Sequence, residues 1–112
     1  PQNKLWCRGP VSASSESLTH AAVYQADPGC QAVIHVHHRL WWEQSLDRIP
    51  TTSASAPYGS PEMAEEVMRL FRETDVRASG VFVMAGHEEG LVAFGPSLPA
   101  AVSAIVNLPA RL

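Results

Sequence analysis

The apolar and polar positions of this chain alternate between helical and strand spacing. Leu18, Ala21, Ala22 and Gln25 recur at helical intervals across Ser17 to Ala26. Ser14 or Ser15 suits the N-cap of that helix, and Glu16 adds favourable charge to its first turn. Asp27-Pro28-Gly29 stops it. The next run, Gln31 to His37, is β-branched and follows a turn, which predicts a strand. Residues 38 to 47 read as a short helix carrying Trp41, Trp42 and Leu46. Ile49 to Pro57 is rich in Thr, Ser and Ala, with room for one short strand. Ser60-Pro61-Glu62-Met63 opens the clearest helix, with Ser60 as cap and Pro61 at the first helical position. Its apolar stripe is Met63, Val67, Leu70 and Phe71. Gly80 to Met84 and Leu91 to Phe94 read as strands, joined through His87-Glu88-Glu89-Gly90 as in a hairpin. A last helix is expected over Leu98 to Asn107, with Pro109 beyond it. Residues 1 to 13 read as irregular, with Gly9-Pro10 as a turn signal. Interleaved helices and strands predict an α/β or α+β domain with helices packed on a sheet.

Composition narrows the function. A chain of 112 residues sets an expectation of one domain over 1–112. Hydrophobic residues make up 46% and charged residues 17%, which supports a packed core rather than disorder. Net charge is -3 and Lys4 is the single lysine, so a nucleic-acid partner is not expected. No apolar run approaches membrane-spanning length, and the first ten residues lack the layout of a signal peptide. Cys7 and Cys30 are then expected as reduced thiols in a cytoplasmic protein. The chain opens on Pro1 rather than Met, which leaves room for a longer product.

The sharpest chemical signal is His35-Val36-His37. Residues two apart on a strand share a face, so both imidazoles can meet one metal ion. The plainer reading is two half-exposed histidines on an ordinary strand. His87 lies in a turn from which a side chain can reach a neighbouring strand end. Three protein ligands with one open position is the usual form of a catalytic zinc site. Ser14-Ser15-Glu16 offers hydroxyls and a carboxylate for binding an anion and moving a proton, or simply caps a helix. His20 follows Glu16 by four residues on the same helical face, as an outer partner of the site or a core histidine. Glu88 and Glu89 read as solvated, Trp41 and Trp42 as packing or interface residues, and Tyr58 as part of a turn before a helix.

Together these segments resemble the class II aldolase/adducin family, in its L-fuculose-phosphate aldolase type. The resemblance rests on Ser14-Ser15-Glu16 with His20-Ala21-Ala22-Val23-Tyr24, and on Pro28 through Ala32 to His37. Ala56-Pro57-Tyr58-Gly59-Ser60, and His87 with Gly90 to Gly95, continue it in the same order. It implies a three-layer α/β/α sandwich around a mainly antiparallel sheet, here the C-terminal part of the family domain. It implies zinc, or another divalent metal, on His35, His37 and His87. Glu16 would move the proton, and Ser14 and Ser15 would hold a substrate phosphate. The implied activity is an aldolase-like lyase (an aldehyde-lyase of carbohydrate metabolism) acting on a small phosphorylated sugar or hydroxy-acid. A homo-oligomer, a tetramer in the family, is implied as well. Epimerases and decarboxylases share the family's metal site, and adducin-like members are non-catalytic scaffolds. Three departures stand out. Only thirteen residues precede Ser14, no tyrosine lies between His38 and Pro50 to serve as the family's proton donor, and the usual His-Gly reads His87-Glu88-Glu89-Gly90.

Overall fold

The computed structural model describes the backbone of residues 10–111 and the side chains of residues 18–110. Its elements in chain order are α1 (Pro10–Ala26), β1 (Ala32–His37), α2 (Arg39–Ser45), β2 (Thr51–Thr52) and α3 (Pro61–Glu73). Then come α4 (Val76–Ser79), β3 (Val81–Met84), β4 (Gly90–Gly95), α5 (Leu98–Val106) and a 3-10 turn (Leu108–Arg111). The strands form one sheet in the order β1-β4-β3-β2. β4 pairs antiparallel with both β1 and β3, and the short edge strand β2 pairs parallel with β3.

Alternation along the strands divides the core into two layers. Val33, Val92, Phe94, Phe82 and Met84 face α1 and α3, meeting Ala22, Val23, Met63, Val67 and Leu70. Val81, Val83, Leu91 and Ala93 face the opposite way, toward Trp41, Trp42, Leu46, Ile105 and Leu108. β3 and β4 are buried along their whole length because helices cover both sides. This is the expected α/β/α sandwich around a mainly antiparallel sheet.

Local chemistry explains most boundaries. Ser60 caps α3 by accepting a hydrogen bond from the Met63 amide at 3.1 Å, with Pro61 in the first turn. Ser97 does the same for α5 through Ala100 at 3.2 Å. Gly80 ends the single turn of α4 at φ 75, a conformation that costs glycine little. That turn and the 3-10 turn had no clear signal in the apolar pattern. α1 departs most from expectation: it starts at Pro10, so Ser14, Ser15 and Glu16 lie inside the helix rather than at its cap.

One ion pair ties the edge strand to a helix. Arg69 donates to both carboxylate oxygens of Glu66 at 3.0 and 2.8 Å and also reaches the Thr51 carbonyl at 3.2 Å. Glu66 accepts from the Ser53 amide at 2.6 Å. The guanidinium beside it holds the Glu66 carboxyl below the usual carboxylate range. β2 has only two residues, so these side-chain bonds fix the strand and the start of the loop that follows.

Leu70 is 1% exposed between α3 and the sheet, whereas Val102 is 42% exposed. Leu70→Ala should cost about 2–5 kcal/mol in urea denaturation. Val102→Ala should stay within about 0.5 kcal/mol of the parent.

Candidate metal centre

His35 and His37 sit at the end of β1 on the face that carries Val33, the α1/α3 side of the sheet. The β1–β4 register sets His35 opposite Val92 and His37 opposite Gly90. His87 arrives from the β3–β4 turn. That turn is held by the His87 amide donating to the Met84 carbonyl (3.1 Å), and by the Gly90 amide donating to the His87 carbonyl (2.9 Å). Glu89 takes φ 69 within it. The missing side chain of Gly90 makes room for the third imidazole, since a Cβ there would collide with Cδ2 of His87. The sequence reading passed over this role of Gly90, and only the register reveals it.

The three imidazoles converge. One ring nitrogen from each of His35, His37 and His87 can be chosen so that all lie within 4.8 Å of one another. Ring centroids are 4.7 Å apart for His35 and His37, 5.1 Å for His35 and His87, and 5.0 Å for His37 and His87. His37 is exposed, while His35 and His87 are half-buried. Nε2 of His35 and of His87 is buried with no hydrogen-bond partner among the described residues. Buried polar atoms normally have partners, so two orphaned nitrogens facing one cluster suit an acceptor for their lone pairs.

Electrostatics keeps these ligand atoms available. Burial drives the pKa of His35 down to about 3, and His37, His87 and His20 push it in the same direction. Burial also lowers the pKa of His87, with His37 adding to the effect. Neutral imidazole is the form that ligates a metal. His20 on α1 is 5% exposed, and burial lowers its pKa to about 4. It is therefore a core histidine, close enough for its charge to act on His35.

The remaining candidates fall into place around this cluster. His38 turns away and caps α2, its Nδ1 accepting from the Trp41 amide at 3.2 Å while its ring stacks on Trp41. Glu88 does not reach the cluster. It accepts a 2.6 Å hydrogen bond from Arg39, which also pairs with Glu89 at 3.0 Å and Glu43 at 3.4 Å. Trp42 packs inside the second core layer and donates from Nε1 to the Met84 carbonyl at 2.9 Å, pinning α2 to the end of β3. Tyr58 does more than end a turn, since its ring lies against both His35 and His87. The side chains of Ser14, Ser15 and Glu16 lie outside the described residues, as does Cys7. Cys30 is a buried free thiol whose pKa burial raises.

The buried imidazoles make the metal-free fold sensitive to acid. Unfolded, these histidines protonate near 6.5, whereas the native chain holds His20 down to about 4 and His35 to about 3. Between those limits the unfolded state binds more protons. Stability is therefore full above 6.5 and falls as pH drops toward the folded values. The urea midpoint should decline between about pH 7.5 and about pH 5, above the main carboxylate range. His20→Gln should flatten that decline, and an unchanged slope would remove His20 from the account.

Among the described residues, no helix is long and apolar enough to cross a membrane. No curated protein matches the chain. Residues 2–41 match the family model of the Class II Aldolase and Adducin N-terminal domain. The matched stretch contains Ser14, Ser15, Glu16, His35 and His37, and ends before Tyr58 and His87. The match spans about a third of the chain, over which it is similar to the class II aldolase/adducin family, and the α/β sandwich is compatible with part of such a domain.

Proposed function

We propose that the chain binds one divalent metal ion, zinc, through His35, His37 and His87 and works as an aldolase-like lyase with Glu16 as its proton-transfer group. The observation that carries this reading is the convergence of three imidazoles within 4.8 Å at one end of the sheet. An all-nitrogen, three-ligand set suits zinc in the form that leaves a position open. The ion, when bound, supplies Lewis acidity for negative charge developing on a substrate oxygen.

The protein residues supply the rest. His35 and His87 are recessed and unprotonated, so they hold the site against competition from protons. His37 is exposed and marks the side from which a small molecule enters. Residue 16 lies one helical turn before His20, and residues four apart share a face. His20 is buried close enough to act on His35, so that face of α1 is turned toward the cluster. In this reading the Glu16 carboxylate takes the proton of the substrate hydroxyl as the carbon–carbon bond breaks and delivers it to the carbon of the ene-diolate fragment that is left. Ser14 and Ser15, next to Glu16 in the sequence, are assigned to binding the substrate phosphate. The substrate is a small phosphorylated sugar or hydroxy-acid, and the working form is a cytoplasmic homo-oligomer.

Metal analysis of the purified protein beside a His35→Ala/His37→Ala double variant tests the first half. Stoichiometric zinc should accompany the parent and be lost from the variant. Zinc absent from the parent, or equal affinity for added zinc in both, would falsify it. Glu16→Gln tests the second half on a panel of small phosphorylated ketoses and hydroxy-acids. Cleavage should fall by about 10²–10⁴-fold with metal retained. A non-catalytic scaffold would cleave none of the panel and be indifferent to the change.

A further inference from the structure

The Tyr58 ring packs against the α1/α3 core layer and also meets the histidine cluster. It lies nearly parallel to His87, with centroids 4.5 Å apart and an interplanar angle of 18°. It also meets His35 at 4.6 Å and 35°. These are the two half-buried imidazoles of the cluster, and their Nε2 atoms have no hydrogen-bond partner among the described residues. The terminal torsion of a histidine is broad and roughly two-fold, so an imidazole needs an outside contact to fix its plane. Metal-binding histidines commonly get this from a hydrogen bond on the other ring nitrogen. A flat aromatic face shared by two ligands can do the same by excluding other ring orientations.

Tyr58 is itself held by a stiff loop. Ser60 donates from both its hydroxyl and its amide to the Pro57 carbonyl, at 2.6 and 3.2 Å, closing a turn around Tyr58 and Gly59. Gly59 takes φ 81 there, a value glycine accepts without strain. On one side the same Ser60 hydroxyl caps α3. On the other, Ala56 presses its carbonyl so closely on Gly86 that a Cβ at Gly86 would collide with it. Gly86 directly precedes His87, so one loop contact aligns the tyrosine with the turn that carries the third imidazole.

We propose that Tyr58 is a positioning residue for the histidine cluster, its ring fixing the planes of His35 and His87 and so setting the affinity and geometry of the bound metal. This rests on the metal-binding reading above. It also assigns to Ala56-Pro57-Tyr58-Gly59-Ser60 a role other than ending a loop.

Zinc affinity, by competition with a chromophoric chelator, and the visible spectrum of the cobalt-loaded protein test it in the parent, Tyr58→Phe and Tyr58→Leu. Phenylalanine keeps the ring face and should bind zinc within about twofold of the parent, with the same cobalt spectrum. Leucine removes the face and should weaken zinc by about 10- to 100-fold and change the cobalt bands. Tyr58→Met fills similar space without an aromatic plane, and it decides the matter if the leucine variant does not fold. Parent-like affinity and spectrum in the folded leucine or methionine variant would overturn the role of Tyr58 while leaving the metal site standing. A parent that binds neither zinc nor cobalt would overturn the metal site, and this role with it.

Discussion

Antiparallel pairing of β1 with β4 is the constraint from which the rest of the site follows. Six residue pairs run from Ala32 opposite Gly95 to His37 opposite Gly90. The ladder is extended by the Gln31 amide donating to the Gly95 carbonyl and by the His38 amide donating to the Glu89 carbonyl. Strand side chains alternate, so a one-residue slip would turn His35 and His37 to the α2/α5 side. Val33 would leave its core layer at the same time. The apolar burial that stabilises the sandwich therefore also selects the face on which the two imidazoles stand. The same register brings Gly90 beside His37 and opens the space that His87 fills.

The cluster is a polar end to an apolar layer. Along β1 the row on the α1/α3 side runs Val33, His35, His37, and along β4 it runs Phe94, Val92, Gly90. Burial falls from Val33 at 3% exposed to His37 at the surface. The core thus grades into a site with a dry floor and an open rim. The dry floor lowers the pKa of His35 and leaves its Nε2 without a partner among the described residues. Each is a cost to the metal-free protein and an advantage to a cation that needs neutral, unengaged nitrogens.

Several contacts outside the cluster act on its geometry. Trp42 reaches the Met84 carbonyl, and Arg39 reaches Glu88 and Glu89, so α2 braces the turn bearing His87 from the opposite side of the sheet. Glu66 and Arg69 fix β2 and the first residue of the following loop. Ala56 against Gly86 aligns that loop with the hairpin. The exposed Arg39 pairs add little energy individually, and their value is directional. The Glu66–Arg69 pair is more sheltered and also satisfies backbone groups, so it carries more of the load.

Much of the fold was legible in the sequence because short-range chemistry decided it. Ser60-Pro61 announced α3, the β-branched run announced β1, and the ordered motifs led to the sandwich. The start of α1 was misread because Ser14 and Ser15 are good caps wherever they stand, while the helix begins at Pro10. His35 and His37 were legible as a pair because strand geometry is local. The meeting with His87 came from a resemblance, and no local rule could supply it, since His87 lies fifty positions beyond His37. Tyr58, Gly86 and Gly90 gained their roles only from tertiary contact. The sequence by itself determined which residues could ligate and which elements would carry them. Tertiary structure decided that three imidazoles converge, with Nε2 of His35 and of His87 lacking a partner among the described residues, because convergence depends on sheet register and loop contact rather than on any residue's own preference.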